Sequence, residues 1–473
     1  TQYSLLANAF AEYEIVKSLK VKYLGGIEYF MNRLYDLDPI YDRGDYANTI
    51  VNVVDNFGQS INWLSDLTLN YERTLGRHRF TALGGVSAQK FTGRGVNVTG
   101  NGALTNALDQ LSGQTTYAVN GTPGENGIYS YFGRVFYSYN DRYLLTATVR
   151  RDGSSRFGPE NKWGTFPSAS VGWVVSEEPF LKNRNWLANL KLRASYGLTG
   201  NQDIPNFRYI GLVGTANYVN GNAIAPGFAV GSPPNVSIRW EAQKQTDLGL
   251  DLGLWGNRLT LTADFYDKTS DGLLTNLQLA PSTGTTGALT KNAGVISNRG
   301  WELSIGTVNT TGRVKWTTNL NLTWNRNNVE DLGFDAQGNP ARLSGFTIGA
   351  PIGTIANLTT AGQPISSFFG YVWDGIYQTG EADAAKAVNS LLRPGDRKYR
   401  DLNNDGKIDA SDRAFLGSPH PTFFGGITNS VGYKSFTLSV FADFATGHSI
   451  LNVQRQFSES GNYVLWQTRA MLD

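Results

Sequence analysis

Period-2 alternation of apolar and polar residues, in segments of about ten, recurs from one end of the chain to the other and restricts its folding more tightly than any other feature. In VKWTTNLNLTWN, Trp316, Thr318, Leu320, Leu322 and Trp324 share one side of an extended backbone, and Thr317, Asn319, Asn321 and Thr323 share the other. In RLTLTADFYD, Leu259, Leu261, Ala263 and Phe265 oppose Thr260, Thr262, Asp264 and Tyr266. In FTLSVFADF, Phe436, Leu438, Val440, Ala442 and Phe444 oppose Thr437, Ser439 and Asp443. Strands of this length match a tilted crossing of a hydrocarbon layer, whereas soluble strands have a mode of about 5–6 residues.

The segments join through very short turns at Lys17-Ser18, Gly76-Arg77, Asn140-Asp141, Gly256-Asn257, Thr311-Gly312 and Tyr433-Lys434. With a further pair near 165–175 and 187–197, the pattern predicts roughly fourteen strands in seven hairpins. Their other ends are joined by long polar excursions at 97–128, 199–238, 331–366 and across much of 367–423. Short turns at one rim and long loops at the other describe an all-β, transmembrane, antiparallel up-and-down barrel whose long loops lie outside the cell. Only a closed sheet leaves no backbone edge unpaired in lipid. A soluble sandwich, solenoid or propeller would also alternate, but its strands are shorter and rarely end in paired aromatics.

The charged fraction of 17% lies below the roughly 25% of soluble proteins, as expected if part of the surface faces something other than water. The 41 Lys and Arg are matched by 39 acids, so no basic face points to nucleic acid. With no cysteine, disulfide scaffolds and thiolate metal sites are excluded. No run of 18 apolar residues exists to form a transmembrane helix. The start at TQYSLLANAF lacks a basic region, apolar core and cleavage site, and reads as a mature or internal start.

One local motif carries ligand chemistry. In DLNNDGKIDASD, residues 401–412, Asp401, Asn403, Asp405, the Lys407 carbonyl, Asp409 and Asp412 occupy the donor positions of an EF-hand-type loop, with Gly406 at the sharp turn. Hard oxygen donors at that spacing suit Ca²⁺, and Asp412 stands where a longer Glu is usual. The bland alternative is an Asp/Asn/Gly turn without an ion. Just before it, GEADAAKAVNSLLRPG carries a helical stripe (Ala384, Ala387, Val388, Leu391, Leu392), predicting a short surface helix over 381–392.

Aromatic residues divide by place. Trp163, Trp173, Trp240, Trp301, Trp316 and Trp324 read as girdle residues where they end lipid-facing strands, with sugar stacking as the alternative. Loop aromatics Tyr218, Tyr371, Trp373 and Tyr377 are better placed to touch a ligand. Arg150, Arg151 and Arg156 read as a loop base paired with acids rather than a substrate clamp. For catalysis the chain offers little: His78, His420 and His448 are scattered, His78 reads as a turn residue, and HExxH, G-x-S-x-G and Walker motifs are absent. An enzyme is not expected.

Four stretches go beyond a generic barrel: YNDRYLLTATVRRDGSSRFGPENKWGTFPSASVGWVVSEEPFL (139–181), LKLRASYGLTGNQDI (190–204), WEAQKQTDLGLDLGLWGNRLTLTADFYDKTSDGLL (240–274) and PGDRKYRDLNNDGKIDASDRAFLGSPHPTFFGG (394–426). Together they resemble the SusC/RagA family of TonB-dependent outer-membrane transporters, in order along nearly the whole chain. The resemblance implies a barrel of about 22 strands, an N-terminal plug, opening driven by the TonB system, and a SusD-like surface lipoprotein that captures oligosaccharides or peptides in the outer membrane of a Bacteroidetes-type bacterium. No plug or TonB box is found before Thr1, and RAMLD lacks a closing strand; residues 1–473 are therefore expected to be a barrel portion that forms an open meander.

Three functions compete: active importer of a bulky nutrient, passive porin or adhesin, and soluble β-rich binding protein. The membrane reading places Trp316, Leu320, Leu322, Leu259, Leu261, Leu438 and Val440 toward lipid, and Asn319, Asn321, Thr260 and Asp264 inward. A one-residue slip would reverse every assignment.

Overall fold

The computed structural model describes residues 1–44, 47–182, 184–221, 223–277, 279, 288–334, 338–347, 355–388 and 391–458. Fourteen long strands are β1 (Gln2–Val16), β2 (Leu19–Asp38), β3 (Val51–Leu75), β4 (His78–Ala103), β5 (Thr116–Tyr139), β6 (Tyr143–Ser154), β7 (Trp163–Val174), β8 (Leu187–Asn201), β9 (Glu241–Leu254), β10 (Leu259–Asp271), β11 (Val295–Thr311), β12 (Val314–Asp331), β13 (Phe423–Tyr433) and β14 (Phe436–Thr446). In the sheet they form, hydrogen-bonded neighbours follow chain order, the order of an up-and-down meander. By compactness the chain divides into two units.

The first unit comprises Thr1–Trp173, Ser195–Gln243 and Leu274–Asn292. Its strands β1 to β7 pair successively and antiparallel. The two-residue turns form because their residues tolerate the left-handed backbone that matches strand twist: Ser18 at φ 75°, Gly76 at 59°, Asn140 at 55° and Asp141 at 54°. On one face, His78, Tyr139, Tyr143 and Trp173 lie opposite one another across four strands. Neighbouring rings are 5.0, 6.3 and 6.5 Å apart. Ten residues along β7, on the same face, Trp163 stacks on Tyr131 at 5.9 Å. Ten residues of strand cover about 33 Å, or about 25 Å of height at the tilt of a membrane barrel, the separation of its two aromatic girdles. Between the belts this face carries exposed Leu145, Val149 and Val171. His78, expected in the turn, is instead the first residue of β4, its Nδ1 2.8 Å from the Tyr137 hydroxyl.

The second unit comprises Val174–Ala194, Lys244–Leu273 and Ala293–Asp473. Register within it sorts the faces as expected. Leu261, Ile305, Leu320, Ile427 and Ala442 form one row across β10 to β14, and Thr262, Ser304, Asn321, Gly426 and Asp443 the next, on the opposite face. Trp301, Trp316, Trp324, Leu259, Leu322, Leu438 and Val440 fall on the apolar face; Thr260, Asp264 and Asn319 fall on the polar one. Trp301 at 56% and Leu438 at 63% exposure would be costly in water and are at home in lipid.

Two expectations need correction. The 97–128 excursion is mostly ladder: β4 and β5 pair out to Asn101 opposite Thr116, leaving 104–115 outside. Gly and Asn on both faces hid these strand ends, which stand beyond the hydrocarbon and need no apolar side. The helix expected over 381–392 is a 3₁₀ turn, Thr379–Glu381, followed by α1, Ala382–Val388. Residues 389–390 lie outside the described set, and Leu391 and Leu392 are not helical. The 199–238 segment holds two small hairpins, Leu212–Thr215 with Phe228–Ser232 and Tyr218–Asn220 with Ala223–Ala225. No helix among the described residues is long and apolar enough to cross a membrane, which says nothing of strands.

Candidate functional site

The polar face of the sheet carries ion pairs, some within a strand and some between strands far apart in sequence. In the second unit, Arg193 Nε donates to Asp251 Oδ2 at 2.8 Å and Nη2 to Asp251 Oδ1 at 3.1 Å and Asp264 Oδ1 at 2.9 Å. Gly249 makes room for this triad: a Cβ there would stand 2.5 Å from Asp264 Oδ1 and 2.6 Å from Arg193 Cζ. Bidentate geometry fixes the guanidinium without leaving a bare charge on the face. In the first unit, Arg150 Nε donates to both oxygens of Asp152 at 2.7 and 3.0 Å and Nη2 donates to the Ser130 hydroxyl at 2.8 Å. Arg156 pairs with Asp203 at 3.0 Å. Arg150 and Arg156 are thus the acid-paired residues expected of this cluster, while Arg151 points to the apolar face.

In the second unit, loop residues fold over the outer end of this face and leave a polar cleft of about 280 Å³ lined by Asn325, Arg326, Asn327, Ser418, His420 and Thr422, among others. Its walls are fixed from several elements. Asn325 Oδ1 accepts from the Tyr266 hydroxyl at 2.9 Å, and Asn327 Oδ1 accepts from the Ile365 N–H at 2.7 Å. Amides and hydroxyls that donate and accept, beside the Arg326 guanidinium, suit a polar ligand such as a sugar ring or a peptide backbone.

The loop aromatics separate. Tyr218 is 56% exposed on its small hairpin in the first unit. In the second unit, Trp373 is 67% exposed and opens the strand Trp373–Ile376. Tyr371 packs its ring 5.4 Å from Tyr399. Tyr377 is only 5% exposed, beneath the Lys398 ammonium at 5.8 Å; burial removes it from the surface offered to a ligand and makes it a loop core residue. Trp240 is corrected similarly: 8% exposed, it packs with Phe157, Ile204 and Ile238 and donates from Nε1 to the Lys162 carbonyl at 3.1 Å, so it seals the loop base and belongs to neither girdle nor sugar platform.

The 401–412 loop is a chain of side-chain-to-backbone turns. Asp401 accepts from the N–H groups of Asn404 at 2.6 Å and Gly406 at 2.8 Å, Asn403 from Asp405 at 3.1 Å, and Asp405 from Lys407 at 2.8 Å. Asp409 accepts from the N–H and hydroxyl of Ser411, which hold its carboxyl below the ordinary value. Asp412 is fully buried, and its two oxygens accept from Leu402 and Asp409 N–H at 2.8 Å each. A carboxylate has about four lone-pair sites, so Asp401, Asp405, Asp409 and the Lys407 carbonyl keep acceptor capacity for a hard cation, whereas Asp412 serves first as a structural cap. Among the described residues no three His, Cys, Asp or Glu side chains are gathered closely enough to hold a metal ion.

Comparison with known proteins adds a second line of observation. The family model for the TonB dependent receptor-like β-barrel matches residues 8–460. TonB-dependent receptor P3 of Formosa agariphila is 31% identical over 94% of this chain and 44% of its own length. TonB-dependent receptor SusC of Bacteroides thetaiotaomicron is 30% identical over 88% of this chain and 43% of its own. The chain therefore spans less than half the length of these relatives. The solved RagAB peptide transporter superposes with a TM-score of 0.81 at 22% identity, covering 100% of this chain and 50% of that one, a likeness of fold.

Proposed function

This chain belongs to the TonB-dependent receptor-like β-barrel family, and from that premise we propose that the whole protein imports a bulky nutrient, an oligosaccharide or peptide, across the outer membrane. The family is one of outer-membrane receptors and transporters. In this reading, TonB acts through a region outside residues 1–473, and a SusD-like surface lipoprotein delivers the cargo to the external loops. The observation that carries the reading is the two-faced sheet. One face is bounded by aromatic belts and left apolar for lipid; the other is lined by locked ion pairs and ends at an amide-rich cleft under the long loops. The RagAB transporter is named for peptides; the polar cleft accommodates either cargo class.

The test is growth of a deletion strain on oligosaccharides or peptides as sole source, complemented with the full-length gene in cells with and without TonB. TonB-dependent rescue supports import. Rescue that persists without TonB would favour the passive porin.

We also propose that the 401–412 loop takes Ca²⁺ as a structural brace. Its donor spacing and the acceptor capacity left on Asp401, Asp405 and Asp409 support this, and external calcium near 10⁻⁴–10⁻³ M is in the range extracellular modules use.

A further inference from the structure

The apolar face of the first unit is not uniformly filled. Leu69, Tyr71, Ala82, Gly84, Gly133, Val135, Ala147 and Val149, drawn from β3 to β6, border a groove of about 460 Å³. Register places Leu69 opposite Gly84, Gly84 opposite Gly133 and Gly133 opposite Val149. Nothing in the protein demands these glycines. A Cβ on Gly84 would meet nothing within 4 Å, and one on Gly133 only the Leu83 oxygen at 3.7 Å. Neither has a positive φ. Glycine inside a strand weakens it unless something approaches the backbone closely, and here that space opens onto lipid. One step beyond Val149 on the same face of β6 stands Arg151, its guanidinium 5.5 Å from the Trp163 ring, which stacks on Tyr131. Arg151 is exposed, and among the described residues it has no carboxylate partner, unlike Arg150 beside it. A bare cation at the belt nearer the long loops lies at the headgroup level of the external leaflet.

We propose that this groove seats one acyl chain of a phosphorylated outer-leaflet lipid, with its phosphate held by Arg151 over the Trp163 and Tyr131 rings. Arg151 supplies the charge complement, Trp163 orients the guanidinium, and Gly84 and Gly133 leave the chain's bed. The groove thus fixes a lipid on the wall of the transporter, separately from any cargo.

The test is native mass spectrometry of the full-length protein, purified in detergent and titrated with monophosphoryl lipid A and with its dephosphorylated form. One bound lipid A adduct that weakens at least about tenfold without the phosphate is expected, the loss of a charge-assisted hydrogen bond. Arg151→Gln should cause a similar loss, Gly84→Leu with Gly133→Leu should abolish the adduct by filling the bed, and both variants should keep the wild-type circular dichroism and melt no earlier than the wild type. Arg150→Gln, on the other face, should bind lipid as wild type does. Equal binding of the two lipid forms, undiminished binding by Arg151→Gln or by the double-leucine variant, or a second copy of the protein occupying this face and displaced by the leucines would each overturn the proposal.

Discussion

Arg150 and Arg151 are consecutive in β6 and serve opposite faces: Arg150 is locked to Asp152 at 2.7 Å on the polar side, and Arg151 lies 5.5 Å over Trp163 on the apolar side. The same one-residue switch repeats at Leu320 and Asn321. A strand that separates two charged neighbours in this way separates two solvents.

Asp152→Ala should destabilise the sheet by about 1–3 kcal/mol, because Arg150 loses the carboxylate that holds it against the Ser130 hydroxyl. Arg150 is 43% exposed at its side chain, and solvent screening keeps the cost toward the lower end. Urea-driven unfolding of the barrel in micelles measures it, and a change indistinguishable from zero would show that the pair is ornamental.

Two glycines of the apolar face should answer differently to alanine. A Cβ on Gly425 collides with the Asn321 backbone oxygen, which cannot move without breaking the ladder, whereas Gly84 meets open space. Gly425→Ala should cost about 1–3 kcal/mol, and Gly84→Ala should be neutral or stabilising by about 0.5–1 kcal/mol. The pair of melting curves checks this, and a reversal of the two signs contradicts the register.

The loop before α1 should respond to pH at both ends. Lys398 donates to Glu381 at 2.7 Å, and the Gln378 N–H does so at 2.8 Å; these hold the Glu381 carboxyl below its ordinary 4.5. That contribution is complete above 4.5 and lost as pH falls through the lowered value. Lys398 is raised above its ordinary 10.5 by the same partner, so its contribution is complete below 10.5 and lost as pH rises through the raised value. Exchange protection around 378–381, corrected for intrinsic rate, should therefore be flat at neutral pH and fall in acid. Glu381→Gln should abolish the acid step; a wild-type profile in that variant would sever the link.

In the 401–412 loop, two roles should separate. Asp412→Ala leaves the Leu402 and Asp409 N–H groups without partners and should increase proteolysis of the loop with or without calcium, at a local cost of about 1–3 kcal/mol per group. Asp401→Ala with Asp405→Ala should instead remove any protection that added calcium confers. Equal calcium protection in this double variant and the wild type would leave only the turn.

Much of this was legible in advance where one physical demand acted alone. Alternation between Trp316 and Trp324 set strand, face and register because lipid accepts only one side, and Asn140-Asp141 or Gly76 marked turns because few residues tolerate positive φ. Where no lipid imposed a side, the pattern went silent: 97–103 and 116–128 mix Gly, Asn and Thr with a few apolar residues and read as loop, though the ladder between them runs out to Asn101 opposite Thr116. The Arg193 triad was invisible because its partners lie 58 and 71 residues away. Tyr377 read as a ligand contact because tyrosine suits both a surface and a core, and only tertiary packing decides between them. The 381–392 stripe overran its helix because Leu391 stays 81% exposed, so burial of its side chain does not reward a longer helix.

The most direct test of a membrane wall with a lipid face and a transport face uses the lack of cysteine in residues 1–473. Single cysteines at Asn319, Leu320, Asn321 and Leu322, introduced one at a time into the full-length protein in liposomes, would each carry a fluorophore exposed to lipid-borne and to water-soluble quenchers. The structure predicts strict alternation, with Leu320 and Leu322 quenched from the lipid and Asn319 and Asn321 from the water. Loss of the alternation, or its reversal, would contradict the account.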